Sequence, residues 1–356
     1  EKIGVHNKNV SMIFTNLGYS YKLLGNYDKA NLNYQKAITI NPNNHDAHFN
    51  LSHIKLAENN FREGWHHYEQ RWETKKFSYK LNFEKPLWNS KLGYGRILIW
   101  AEQGIGEQIL FSTILPELNS HFKKVLVAIN DKLVPLFKLK FKNFEVYPIS
   151  QKINEDKFDF HLPIGSLGKF FRKDHISFLN KSPSSFSKKI KNIDKSRPRC
   201  ALSWISSNKD FEKNKSMKLN DLADILNIKE FEFFNIQYTD EQEEIEDFFK
   251  DHNILINNID GVDPFNDLLG LTDFLYTCDF VITVSNTNAH LAASIGIPTY
   301  LLLPLSKGKF WYWNNEKNNK NLWYPSIVKF QQSEDGSWTD PVQKLKNHLK
   351  EKYQIN

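Results

Sequence analysis

From residue 96 onward the apolar positions fall into short unbroken runs, separated by stretches in which they recur every three or four residues. The runs at 96–100, 124–129, 144–149 and 158–162 predict four strands, with helices expected from about 108 to 118 and near 131–140. A stretch rich in Ser, Lys and Pro, 180–199, reads as a hinge. Beyond it, strands are expected at 200–205, 231–237, near 254–257, at 280–284 and at 300–303. Helices are expected at 219–226, 241–249, 265–276 and 289–295, and the chain closes on a helix over 338–353. Strands separated by helices pair in parallel, and such sheets bury both faces, which is why their strands read as continuous apolar runs. Two such blocks on either side of a hinge predict two α/β halves facing a cleft.

The densest unit is 279–304, DFVITVSNTNAHLAASIGIPTYLLLP. An apolar strand meets the polar quartet Ser285, Asn286, Thr287 and Asn288, and then a helix closed by Gly296 and Pro298 leads to a second strand. In a parallel sheet ligands bind beyond the carboxyl ends of the strands, so this quartet offers hydroxyls and free helix-start N–H groups to a phosphate or diphosphate. The alternative is an ordinary turn whose Ser, Asn and Thr only cap the helix. A second strand-to-helix junction, AEQGIGE at 101–107, places Gly104 and Gly106 where backbone can approach a ligand.

Composition excludes several classes. A chain of 356 residues, 40% hydrophobic and 14% aromatic, is long enough for several cores and is not disordered. Its net charge of +6 comes from 47 basic against 41 acidic residues scattered along the chain, which argues against nucleic acid as the partner. Cys200 and Cys278 lack metal-type spacing and are expected as buried thiols in a reducing compartment. No apolar run approaches a membrane span, and EKIGVHNKNV lacks the core of a signal peptide, so a cytoplasmic location is expected, and the absence of an initial Met suggests a piece of a longer protein.

Residues 11–73 repeat with a period of 34: Asn16-Leu17 recurs as Asn50-Leu51, Tyr27 as Phe61, Ala30 as Gly64 and Tyr34 as Tyr68. With Gly18, Tyr21, Gly25, Ala37 and Pro42 in place, the segment resembles tetratricopeptide repeats, which are paired antiparallel helices that hold peptides or partner proteins.

Taken together, FREGWHHYEQRW at 61–72, WAEQGIGEQILF at 100–111, FDFHLPIGSL at 158–167, SNTNAHLAASIGIP at 285–298 and LWYPSIVKFQQ at 322–332 resemble bacterial tetratricopeptide-repeat glycosyltransferases. The resemblance extends to family 9, the heptosyltransferases, and more distantly to protein O-GlcNAc and O-fucose transferases. It implies an α/β fold of GT-B type, two Rossmann-like domains facing a cleft, preceded by an all-α repeat segment. The divisions expected are repeats at 1–76, a connector at 77–94, an acceptor-side domain at 95–185, a nucleotide-sugar-binding domain at 186–335 and a terminal helix at 336–356. Two departures stand out: Glu107 and Asn286 occupy places where the family usually carries Asp.

The activity implied is inverting transfer of a sugar from a nucleotide diphosphate sugar to a hydroxyl, without a further cofactor. It needs a base for the acceptor proton and positive or dipolar groups for the departing diphosphate. Glu107 is the expected base, with His161 in reserve. No Asp-x-Asp is present to hold a metal between phosphates, so protein groups are expected to do so: Thr287, the amides around Asn288, and Lys213 or Lys215. Ser206, Gln237, Asn286, His290 and Trp311 complete the expected donor set; Gln237 could meet the base and Trp311 could stack. His290, inside its helix, equally suits capping or packing. The repeats favour a protein acceptor or partner. Competing readings are a lipid-linked or surface glycan acceptor, and a degenerate transferase that serves only as a binding module.

Overall fold

A computed structural model describes residues 2–74, 80–90, 95–179, 196–207 and 212–355. Four helices open the chain: α1 (Lys2–Leu23), α2 (Tyr27–Ile40), α3 (His45–Ala57) and α4 (Phe61–Tyr68). The side-chain carbonyls of Asn26 and Asn44 cap α2 and α3, accepting the N–H of Lys29 at 3.1 Å and of Ala47 at 3.0 Å. Gly18 lets Tyr34 press on the backbone of α1, since a Cβ there would lie 2.7 Å from the Tyr34 ring. A short 3-10 turn, Glu69–Glu73, ends this segment.

The first α/β half contains β1 (Arg96–Trp100), α5 (Ile105–Ser112), β2 (Lys124–Ile129), α6 (Val134–Lys140), β3 (Glu145–Pro148), β4 (Phe160–Pro163), α7 (Leu167–Phe171) and α8 (Ile176–Leu179). Its strands make one parallel sheet in the order β3-β2-β1-β4. Helix α5 begins ahead of the expected position because Gly104 acts as its N-cap, and it stops at Ser112, followed by a 3-10 turn with Pro116 near its start. The described part of the connector, 80–90, lies across this sheet: Trp88 donates its N–H to the carbonyl of His161 at 2.9 Å, and His161 donates to that of Pro86 at 3.2 Å. Leu81 and Phe83 cover Leu98, Trp100 and Phe158 there, so the connector belongs to the first half.

The second half follows with β5 (Arg199–Ser203), α9 (Glu212–Lys215), α10 (Ala223–Leu226), β6 (Glu232–Asn235), α11 (Gln242–His252), β7 (Ile256–Asn257), α12 (Leu268–Leu275), β8 (Phe280–Val284), α13 (Thr287–Ser294) and β9 (Thr299–Leu303). A small hairpin, β10 (Glu316–Lys317) and β11 (Lys320–Asn321), leads to β12 (Ile327–Gln331) and α14 (Thr339–Tyr353). The parallel order is β12-β9-β8-β5-β6-β7. Strand β12 was not expected: as an edge strand it is only partly buried, with Val328 exposed, and so lacks the continuous apolar run of its neighbours. Helix α14 packs Val342, Leu345 and Leu349 on the second sheet's core and belongs to that half, not to a separate terminal piece. Most of the expected hinge, 180–195, lies outside the described residues.

Both sheets have a point where the strand order reverses, between β1 and β4 in the first and between β5 and β8 in the second. A crevice opens at the carboxyl ends there. One continuous apolar core runs through all three segments, joining Trp65 and Tyr68 of the repeats, Phe111 of the first half, and Leu291, Trp311 and Trp323 of the second.

Candidate functional site

The second crevice is built by Asn286. Its side-chain carbonyl caps α13, accepting the Ala289 N–H at 3.2 Å and the Thr283 hydroxyl at 3.1 Å. Its amide donates across the crevice to Ser203 Oγ at 2.7 Å and to the Ile205 carbonyl at 3.1 Å. Asn286 thus ties the ends of β5 and β8 together, a bond set that requires two donors and that an Asp could not make. Thr287 is half-buried at the first position of α13, and neither its hydroxyl nor the N–H groups of Thr287 and Asn288 meet an acceptor among the described residues. These groups, at the positive end of a helix dipole, can receive an anion.

Other expected donor contacts are committed to the fold. Gln237 accepts the N–H groups of Trp204 at 3.1 Å and Ile205 at 3.0 Å, and donates to Thr239 at 2.8 Å, so it shapes the loop after β5 and has no edge left for a base. The Asn288 amide donates inward to the Ile236 carbonyl at 2.8 Å, leaving only its backbone to the crevice. Ser206 is buried, with its N–H donated to Ser216 Oγ at 3.0 Å. Trp311 is buried edge-on against Trp65 and Trp323, at 5.5 and 6.0 Å between ring centres, and packs the repeats onto the second half where stacking on a ligand was expected.

Across from α13 stands α5, the two helix starts meeting at Gly106. A Cβ on Gly106 would lie 2.7 Å from His290 Cδ2, so a glycine is what allows the imidazole of one half to seat on the backbone of the other. His290 is enclosed by the rings of Tyr312, Trp313 and Tyr324, with Nδ1 paired to the Tyr324 hydroxyl at 3.1 Å. Burial, with Lys215 adding to it, holds His290 down to about 3, so it is neutral and serves packing.

Glu107, half-buried in the first turn of α5, reaches back toward the N–H of Gly104 and accepts the Tyr312 hydroxyl at 3.4 Å. Burial raises its pKa, opposed by these donors and by the Lys215 charge. Lys215, 3% exposed at the end of α9, holds its ammonium 4.7 Å over the Phe310 ring. Burial draws it down to about 8, with Glu107 opposing. Glu107 of one half and Lys215 of the other thus act on each other's charge, each opposing the shift that burial imposes on its partner.

Lys213 is exposed to solvent. His161 does not join Glu107 and Lys215. Its side chain is buried beneath the connector, accepting Trp100 Nε1 at 3.1 Å and lying 4.8 Å from the Phe83 ring, and burial lowers its pKa. The expectation that it faces the cleft fails because β4 alternates, and His161 points to the sheet face covered by residues 80–88. Sequence reasoning missed Tyr312 and Tyr324, whose only signal was the aromatic density of 310–313 and 322–324, and the buried Arg71–Glu102 pair, at 2.7 Å, which joins positions far apart in the chain.

The family model described as TPR repeat matches residues 18–56. The chain is 26% identical over 327 residues to Protein FlbA of Caulobacter vibrioides, a match covering 84% of this chain and 54% of that protein, so the chain spans about half the length of the curated relative. Among solved structures, the E. coli heptosyltransferase WaaC with ADP superimposes at a TM-score of 0.49 and 10% identity, over 72% of this chain and 99% of that one. A glycosyl transferase family 9 protein from Veillonella parvula gives a TM-score of 0.49 at 12% identity, over 73% and 98%. The match at 18–56 falls on the end of α1, all of α2 and most of α3, and this helical segment is set on two Rossmann-like halves.

Proposed function

We propose that this chain is an inverting glycosyltransferase that moves a sugar from a nucleotide diphosphate sugar to a hydroxyl of a protein acceptor. The observation that carries this reading is the meeting of the two halves at the starts of α5 and α13, where Gly106 seats His290, Glu107 accepts the Tyr312 hydroxyl at 3.4 Å, and the helix-start N–H groups of Thr287 and Asn288 meet no acceptor among the described residues. Glu107 takes the acceptor proton as that oxygen attacks the anomeric carbon from the side opposite the diphosphate. The bond from that carbon to the diphosphate oxygen breaks, and the diphosphate departs with the electron pair. Its growing charge is met by the Lys215 ammonium and by the N–H groups of Thr287 and Asn288, fixed dipoles that need no metal between the phosphates. Raising the Glu107 pKa by burial brings a carboxylate closer to the range in which a base works at neutral pH.

The motifs that resemble repeat-containing glycosyltransferases support the same class, and a nucleotide-sugar donor fits a cytoplasmic setting. The repeats support a protein acceptor. A groove of about 180 Å³ between Tyr19, Lys22, Asn50 and His53 of the repeats and residues 306–311 is lined in part by Phe310, whose ring centre lies 4.7 Å from the Lys215 ammonium. One observation favours a glycan acceptor as the second reading: a cavity of about 570 Å³ on the first half, walled by Trp72, Trp88, Trp100 and Phe170 with Glu69 and Lys169 beside them. Rings of this kind stack on sugar faces as well as on other aromatics.

The test is turnover of a panel of ADP-, GDP- and UDP-sugars, with and without chelator. Glu107→Gln is expected to lower kcat by about a hundredfold or more while nucleoside diphosphate binding persists. Turnover that is lost in EDTA and restored by Mg²⁺ or Mn²⁺ contradicts metal independence. Near-normal turnover in Glu107→Gln removes Glu107 from the role.

A further inference from the structure

Glu107 rides on a loop whose shape is held from outside its own half. Arg71, fully buried at the end of the repeat segment, donates through Nε and Nη2 to both oxygens of Glu102, at 2.8 and 2.7 Å. The same guanidinium reaches Ser166 Oγ at 2.8 Å and Glu69 Oε1 at 2.8 Å, and lies between the rings of Tyr68 and Trp72, 4.5 and 4.4 Å from their centres. Glu102 also accepts the Gly165 N–H at 3.0 Å, so one carboxylate fastens the ends of β1 and β4 to the repeats.

The next residue, Gln103, is in the left-handed region with φ 61°, a conformation that a residue with a side chain adopts only when its surroundings enforce it. Its side-chain amide donates to the Tyr68 hydroxyl, and its carbonyl accepts Gln108 Nε2 at 3.1 Å. Gly104 then caps α5 and Glu107 follows in the first turn. The chain therefore turns from β1 into α5 at a residue whose side chain is bonded to the repeat segment.

We propose that Tyr68 and Arg71 are positioning residues: the last turn of the repeats sets the loop at Glu102–Gln103 and thereby the place and tilt of Glu107 against Lys215. The proposal rests on Glu107 acting as the base, and it makes the repeats part of the active-site architecture as well as a partner-binding arm. Arg71 and Tyr68 touch no substrate; they act through the loop.

The experiment uses the full chain with Tyr68→Phe, which removes one hydroxyl, and Arg71→Lys, which keeps the charge but loses the two-pronged bond. Backbone hydrogen exchange is measured at 103–108 with 342–349 of α14, which packs on the second half's core away from the loop, as control, together with kcat and KM on the ADP-, GDP- and UDP-sugar panel. Exchange at 103–108 is expected to speed up about tenfold in Tyr68→Phe with 342–349 unchanged, and kcat to fall about tenfold at constant donor KM. Unchanged exchange at 103–108 overturns the proposal, as does faster exchange spread equally over 342–349, which marks a plain stability role. Faster loop exchange with kcat and KM both intact also overturns it. If the wild-type chain turns over none of these sugars, the transferase reading fails, while the exchange result still decides whether the repeats set the loop.

Discussion

Asn286 does two jobs at one position: it is a cap and a cross-strand tie at once, satisfied on both the oxygen and nitrogen sides. An Asp would still cap α13 and would suit the helix dipole, but it would leave Ser203 Oγ without its donor and set a carboxylate oxygen against the Ile205 carbonyl in a buried crevice. The second effect outweighs the first because the site is 7% exposed and the lost bonds cannot be replaced by water. Asn286→Asp is therefore expected to destabilise the chain by about 1–3 kcal/mol in urea denaturation and to weaken nucleoside diphosphate binding. A variant as stable as the parent would mean that the amide bonds contribute nothing. The Asn was legible in the sequence as a helix-start residue; its two donor contacts were not, because Ser203 at the end of β5 and Ile205 in the loop after it lie some eighty positions earlier.

Helices α5 and α13 carry the site as a pair, and their fit depends on Gly106. The glycine was visible in the sequence as one of two in AEQGIGE, and its expected purpose was approach to a ligand. Its partner is instead the His290 ring, wedged among Tyr312, Trp313 and Tyr324 with no room to retreat. Gly106→Ala is expected to force the helix starts apart, costing about 1–3 kcal/mol and lowering turnover. The same substitution in a His290→Ala background is expected to cost less, because the clashing atoms are gone; equal costs in both backgrounds would rule out this contact. The strands and helices themselves were largely legible, since buried parallel strands advertise themselves as apolar runs. Edge strand β12, half-exposed, did not, and neither did the inward direction of Gln237, Trp311 and His161, because period and composition say which residues are buried but not what they are buried against.

The three segments act as one body. The repeats are bonded to the first half through Trp65 Nε1, which donates to the Arg172 carbonyl at 2.7 Å, and to the second through Ser306 Oγ, which donates to the Leu23 carbonyl at 2.7 Å. Glu107 and Lys215, which act on each other's charge from different halves, therefore sit in a cleft whose walls are braced from a third side. Lys215 titrates in the folded chain near 8, against 10.5 when solvated. Below about pH 8 it is protonated in both states and its burial cost is fully present; between the two values the folded chain has released the proton and the unfolded chain has not, so this cost is relieved as pH rises. Ligand binding runs the other way. A diphosphate favours the ammonium, so above pH 8 it must bring a proton with it, and affinity falls as pH climbs, by up to about tenfold per unit. Calorimetry of ADP, GDP and UDP at about pH 7 and about pH 9, in buffers of differing ionisation enthalpy, is expected to show weaker binding and proton uptake at the higher pH. Lys215→Met is expected to bind weakly at both and to show no uptake. Affinity that stays level across this range in the wild-type chain, or proton uptake that survives in Lys215→Met, would place the diphosphate away from Lys215 and remove the pairing of the two halves as the basis of the reaction.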